Sequence, residues 1–218
     1  MLAAIIDRRR LALIQSWVAN PLVQVQVESP MVLPRLVFIN DETGQSGSVG
    51  QVGRRAMTNT AIVEGGPDKD RSWSVWVASG YSSYQKAYLA FIHTAYGIDR
   101  GPADLAGYDI DHLLNRARSP LGSSFIRIEA VSSLANRAWG GLFEKAASNR
   151  AFHANRVRER RTMSWMICAK LAGQMPPAGS GDTAGINRLI AFFRTLGLSD
   201  TEARDGISSM LDFAYRLR

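Results

Sequence analysis

At 218 residues, 46% hydrophobic and 21% charged, the chain can bury a sizeable core as one domain, and its composition excludes disorder. Its 26 Lys and Arg against 19 Asp and Glu leave a net charge of +7, mostly on arginine, which points to a polyanionic partner. The single cysteine, Cys168, excludes an intramolecular disulfide and a cysteine-based zinc ribbon.

Residues 2–18 have helical apolar spacing through Leu2, Ile5, Ile6, Leu13 and Val18, around a basic cluster at Arg8–Arg10. This start superficially resembles a signal peptide, but Gln15 and Ser16 interrupt the apolar stretch and no small-x-small site follows cleanly. No apolar run approaches the ~20 residues of a membrane span, so a cytoplasmic protein is expected. VQVQV (23–27) alternates as a half-buried strand should. RLVFIN (35–40) is a second strand candidate, and DETGQSGSVGQVG (41–53) reads as a long turn or loop. TAIVEG and WSVWVASG (73–80) are further strands. Residues 82–96 form a helix with a Ser N-cap and Gly97 as its stop. His93, on that helix, reads as structural.

YDID at 108–111 is a short strand, SPLGSS a turn, and FIRIEAV (125–131) a second strand. A helix then runs from Ser132 or Ser133 through LANRAWGGLFEKAAS. Gly140 and Gly141 inside it suggest a close approach of the backbone to something. A basic helix is predicted over 149–173, with Cys168 as a buried small hydrophobe in its apolar part. QMPPAGSGDTAG (174–185) reads as a linker between a main domain, 1–173, and a helical pair at 186–196 and 200–217. Ser199-x-x-Glu202 is a capping box opening the last helix.

The chemistry concentrates in YDIDHLLNRARS (108–119), where Asp109, Asp111 and His112 crowd into four positions. Acids this close repel one another, so a divalent cation or a neighbouring arginine must neutralise them. Strand alternation puts Asp109 and Asp111 on one side. Asp109 supports a site from behind or pairs with an arginine. Asp111 offers a carboxylate oxygen and Asn136, at the start of the helix after the second strand, an amide oxygen. Both suit Mg2+ or Mn2+. His112, neutral near pH 7, can take a proton from water.

This order of motifs resembles the HNH, or His-Me finger, nucleases. YDIDHLL, with SSLANRAWG placing Asn136 24 positions after His112, is similar to the HNH domain of RNA-guided CRISPR nucleases and to phage endonuclease VII. The resemblance covers about residues 108–149. It implies an α+β fold with a ββα-metal core, flanking helices and a strand-containing N-terminal region. It also implies His112 as general base and Asp111 and Asn136 as ligands of Mg2+ or Mn2+. Where many members carry an Asn near the start of the second strand, this chain has Arg127.

Arg116, Arg118, Arg137 and Lys145 flank the site and are the expected phosphate contacts. Arg150, Arg156, Arg158, Arg160 and Arg161 spread around a helix as a general basic surface, with His153 among them as a surface histidine, and Trp139 reads as core. The function implied is metal-dependent hydrolysis of phosphodiester bonds, with DNA as partner. The alternatives are a non-catalytic nucleic-acid-binding or assembly protein, and an RNase or antibacterial toxin on the same finger, the toxin needing an immunity partner.

Overall fold

The computed structural model describes residues 1–36, 47–119, 123–141 and 161–215. Its strands are β1 (Gln24–Val27), β2 (Ser48–Gly50), β3 (Thr60–Glu64), β4 (Ser74–Ala78), β5 (Tyr108–His112), β6 (Phe125–Ser132) and β7 (Arg161–Thr162). They form one antiparallel sheet in the order β2-β3-β4-β6-β1-β7, with β5 also on β6. The fold is therefore mixed α and β around a single sheet.

Strand β6 is the organising element. All but its last residue are buried, and FIRIEAV is β-branched or aromatic enough to fill both faces of a sheet. Ile128 opposes Val75 on one edge and His112 on the other, while Phe125 opposes Ala78 and Val27. So β4 lies along one edge, and β1 and β5 share the other end to end. The β5 ladder runs on past its last residue, where the Leu113 amide donates to the Arg127 carbonyl at 3.0 Å.

The helices are α1 (Leu2–Ala19), α2 (Lys69–Ser72), α3 (Tyr84–Tyr96), α4 (Ser133–Trp139), α5 (Trp165–Leu171), α6 (Thr183–Thr195) and α7 (Asp200–Tyr215). One apolar cluster sets Ile5 and Ile6 of α1 and Phe91 and Ile92 of α3 against Val75 and Ile128. A second joins Trp17 and Val25 to Trp139, Ile167, Phe193 and Ile207. Helix α1 spans both. Trp17 meets the Trp165 ring edge-on at 5.1 Å and Phe193 at 6.0 Å, so the C-terminal helices share a core with the first one.

Several expectations shift. Arg35 and Leu36 end a 3₁₀ turn, Pro30–Leu36, whose two prolines fix φ, and the rest of RLVFIN lies outside the described residues. Part of the Gly/Ser stretch is the edge strand β2. A Cβ on Gly47 would sit 1.7 Å from the Glu64 carbonyl oxygen, so glycine there permits a close backbone approach. The basic helix over 149–173 is not continuous. Residues 149–160 are outside the described part, Arg161 and Thr162 form a strand on β1, and α5 starts only where the Ser164 hydroxyl accepts from the Ile167 amide. A Cβ at Gly140 or Gly141 meets no atom within 4 Å, so no close approach among the described residues explains them. Helix α6 begins inside the expected linker, capped by Asp182, which accepts from the Gly185 amide at 2.9 Å.

Candidate active site

Strand β5 ends in Asp111 and His112, β6 runs back beside it, and α4 starts at the very next residue, Ser133. The register places Asp109 opposite Val131, Asp111 opposite Glu129 and His112 opposite Ile128. Strand, strand and helix thus follow one another as the sequence suggested, with Asn136 in the first turn of α4.

Asp109, rather than Asp111, is what joins the strand to the helix. Its carboxylate accepts from the Ser133 hydroxyl at 2.7 Å and from the Asn136 amide nitrogen at 3.1 Å, and Arg137 approaches to 3.9 Å. A carboxylate at a helix N-terminus also faces the positive end of the helix dipole, so the contact fixes both the position and the direction of α4. Asp111 takes a different partner. The Lys170 ammonium, on α5 and wholly buried, lies 2.5 Å from its Oδ2. The acids do draw cations, and those in place are a lysine and an arginine.

His112 is 6% exposed, and the Tyr84 ring packs edge-on against its imidazole at 4.5 Å. Burial, then the charges of Arg116 and Lys170, push its pKa down to about 4, so the ring is neutral. Its Nε2 is buried without a hydrogen-bond partner. Of the expected phosphate contacts, Arg116 and Arg137 are exposed, whereas Arg118 leans over the Phe213 ring, 5.8 Å from its centre. Lys145, Arg150, His153, Arg156, Arg158 and Arg160 lie outside the described residues. Cys168 and Trp139 are buried as expected, and His93 is a surface partner of Asp99 at 2.9 Å.

Among the described residues no group of three or more His, Cys, Asp or Glu could hold a metal ion. A site of the Mg2+ type needs less, since it uses one or two carboxylates and leaves the remaining positions to water and phosphate. The hard oxygens of Asp111 and Asn136 fit that requirement by type. A divalent cation would share Asp111 with the Lys170 ammonium.

Behind β5 lies a second charged group that the sequence reading missed. Arg9, wholly buried, reaches Glu129 with Nη2 at 2.5 Å and Nε at 3.4 Å, and stacks over Phe91 at 4.5 Å. Arg127 donates to the same carboxylate at 3.1 Å. Burial disfavours the Arg9 charge, but Glu129, Tyr88 and Tyr96 together outweigh it and raise the pKa. The available signal was positional: Arg9 falls on the stripe of Leu2, Ile5, Ile6 and Leu13, where an arginine must find a carboxylate.

The chain matches no protein-family model, no curated protein and no solved structure.

Proposed function

We propose that the chain is a metal-dependent endonuclease that hydrolyses phosphodiester bonds in DNA, with β5, β6 and α4 as its ββα-metal core. The observation that carries this reading is the hydrogen bond from Asn136 to Asp109. It ties the first turn of α4 to Asp109, which by strand alternation lies on the same side of β5 as Asp111.

His112 acts as general base. Its neutral ring keeps a lone pair for a proton, and none of the described residues engages Nε2. Tyr84 fixes the ring plane from the side. Asp111 and Asn136 would hold Mg2+ or Mn2+, which when bound supplies a Lewis acid that offsets charge on the scissile phosphate. Arg116 and Arg137, exposed beside the site, hold the backbone phosphates, and affinity then falls with salt.

The test is plasmid nicking with Mg2+ or Mn2+, with and without EDTA, by the wild type and by His112→Ala. Cleavage that disappears with both the chelator and the substitution is the expected result. Cleavage surviving His112→Ala would place the chemistry elsewhere, and preference for an RNA substrate would make the enzyme an RNase on the same core.

One observation favours a second reading, a non-catalytic nucleic-acid-binding protein. Asp111 is paired to a buried lysine and His112 is nearly closed off from water. Such a protein binds nucleic acid without cutting it, ignores EDTA and tolerates His112→Ala.

A further inference from the structure

The net charge of the buried cluster behind β6 does not close. Arg9 and Arg127 share one carboxylate, that of Glu129; among the described residues neither makes another ion pair, and Asp70 acts on Arg9 only through the Tyr96 hydroxyl and at longer range. With side-chain exposures of 0%, 8% and 1%, the three leave one positive charge largely excluded from water. Arg9 is the better satisfied, since it also donates to the carbonyls of Lys69 and Trp73 and to the Tyr96 hydroxyl. Arg127 uses Nη2 alone. Among the described residues its Nε is buried without a partner and its Nη1 makes no hydrogen bond. A guanidinium presents its donors as a planar fork suited to two oxygens, so an arginine bonded through one nitrogen has most of its recognition surface left over.

That surface borders a cavity of about 640 Å³ between the end of α1, the start of β1, the loop into α2 and β4. Trp76 and Leu36 supply apolar wall, and Ser74, Gln24 and Arg71 supply polar wall. The Gln24 Oε1 is a second buried atom without a partner. The acid on the rim, Asp68, accepts from the Arg71 amide at the start of α2 and makes no ion pair with Arg127. The volume lies within the ~300–1,000 Å³ range of small-molecule sites, which combine apolar walls with a few fixed polar groups.

We propose that this cavity binds a small organic oxyanion, a carboxylate or phosphate on a flat apolar body, whose head Arg127 takes with the N–H donors that Glu129 leaves open. The body lies against Trp76. The ligand's charge completes the neutralisation that Glu129 begins, so an anion is preferred to a neutral molecule of the same shape. This inference does not rest on the nuclease reading.

The test is calorimetric titration of the full chain with benzoate and with phenyl phosphate, using benzyl alcohol as the uncharged control. Saturable binding of at least one anion and none of the alcohol is expected, and which anion binds separates carboxylate from phosphate recognition. Arg127→Gln should weaken binding by at least about tenfold, because a charge-assisted pair of hydrogen bonds is lost. It should still fold, since Glu129 keeps Arg9. Side-chain NMR of arginine-labelled wild type gives a readout that needs no variant: the resonance of a buried Nε–H must move as the anion saturates. No saturable binding of either anion, undiminished binding by folded Arg127→Gln, or no shifting Nε–H resonance would each overturn the proposal.

Discussion

Glu129 should be far more costly to lose than Arg127, although the two form one ion pair. Glu129→Gln removes the carboxylate that both buried guanidiniums share, leaving Arg9 and Arg127 without their common ion-pair partner. Breaking a buried pair from one side costs about 3–5 kcal/mol. Arg127→Gln deletes one 3.1 Å charged hydrogen bond but leaves a balanced Arg9–Glu129 pair. It also relieves a group whose pKa is pulled down by burial and, after the upward pull of Glu129, by Arg9. The opposing terms leave a net change within about 1 kcal/mol. With a urea m-value of about 2 kcal/mol per molar, the midpoint should fall by about 2 M for Glu129→Gln and by no more than about 0.5 M for Arg127→Gln. The double variant is the sharper test. Adding Arg127→Gln to Glu129→Gln should recover at least about 1 kcal/mol, because it removes a like charge. Equal losses in the two single variants, or no recovery in the double, would refute the charge accounting.

Three further outcomes follow from the same geometry. In chelator, stability should fall as the pH drops from 6.5 towards 4, because the unfolded chain protonates His112 throughout that window and the folded one does not; with a folded pKa of about 4 the loss reaches about 2 kcal/mol at pH 5, and urea melts of His112→Asn should lack that part of the slope. Lys170→Met removes the ammonium from Asp111 and should cost about 3 kcal/mol, part of which Mn2+ restores in a thermal melt if the carboxylate is a cation seat; a melt unmoved by Mn2+ argues against a metal there. Gly206→Ala should destabilise α7 by about 1–3 kcal/mol despite the better helix propensity of alanine, since the new Cβ would lie 2.1 Å from the Trp165 ring; an unchanged or raised melting temperature would count against that packing.

What could be read beforehand was local. Helix α3 ends at Gly97 with φ +67°, and Ser199 and Glu202 cap one another reciprocally, with the Ser199 amide donating to the Glu202 carboxylate at 2.9 Å and the Glu202 amide to the Ser199 hydroxyl at 3.2 Å. Strands β5 and β6 and the start of α4 lie where periodicity and a Ser-Ser pair put them. The misses were questions of partnership across the chain. Lys170 sits in WMICAKLAG, an apolar run in which one lysine ordinarily turns to solvent, and only the tertiary fold sets it on Asp111. The choice of Asn136 between Asp109 and Asp111 depends on where α4 crosses β5, which no spacing specifies. Gly47 announces a loop by composition and an edge strand by contact, because the same absence of Cβ serves both.

The sharing of one core by α1 and α6 has a consequence for how the molecule is made. During synthesis α1 leaves the ribosome well before α5 and α6, which carry the Trp165 and Phe193 on which its Trp17 packs. Even β1, the next element, receives its outer neighbour only when Arg161 and Thr162 emerge. The Trp17 end of α1 therefore waits uncovered until these late helices emerge, a period in which exposed hydrophobic surface invites aggregation. Contacts so distant in sequence also close slowly. Ribosome-stalled chains ending before α6 should remain protease-sensitive and chaperone-bound, and release into the folded state should come as a late, single event.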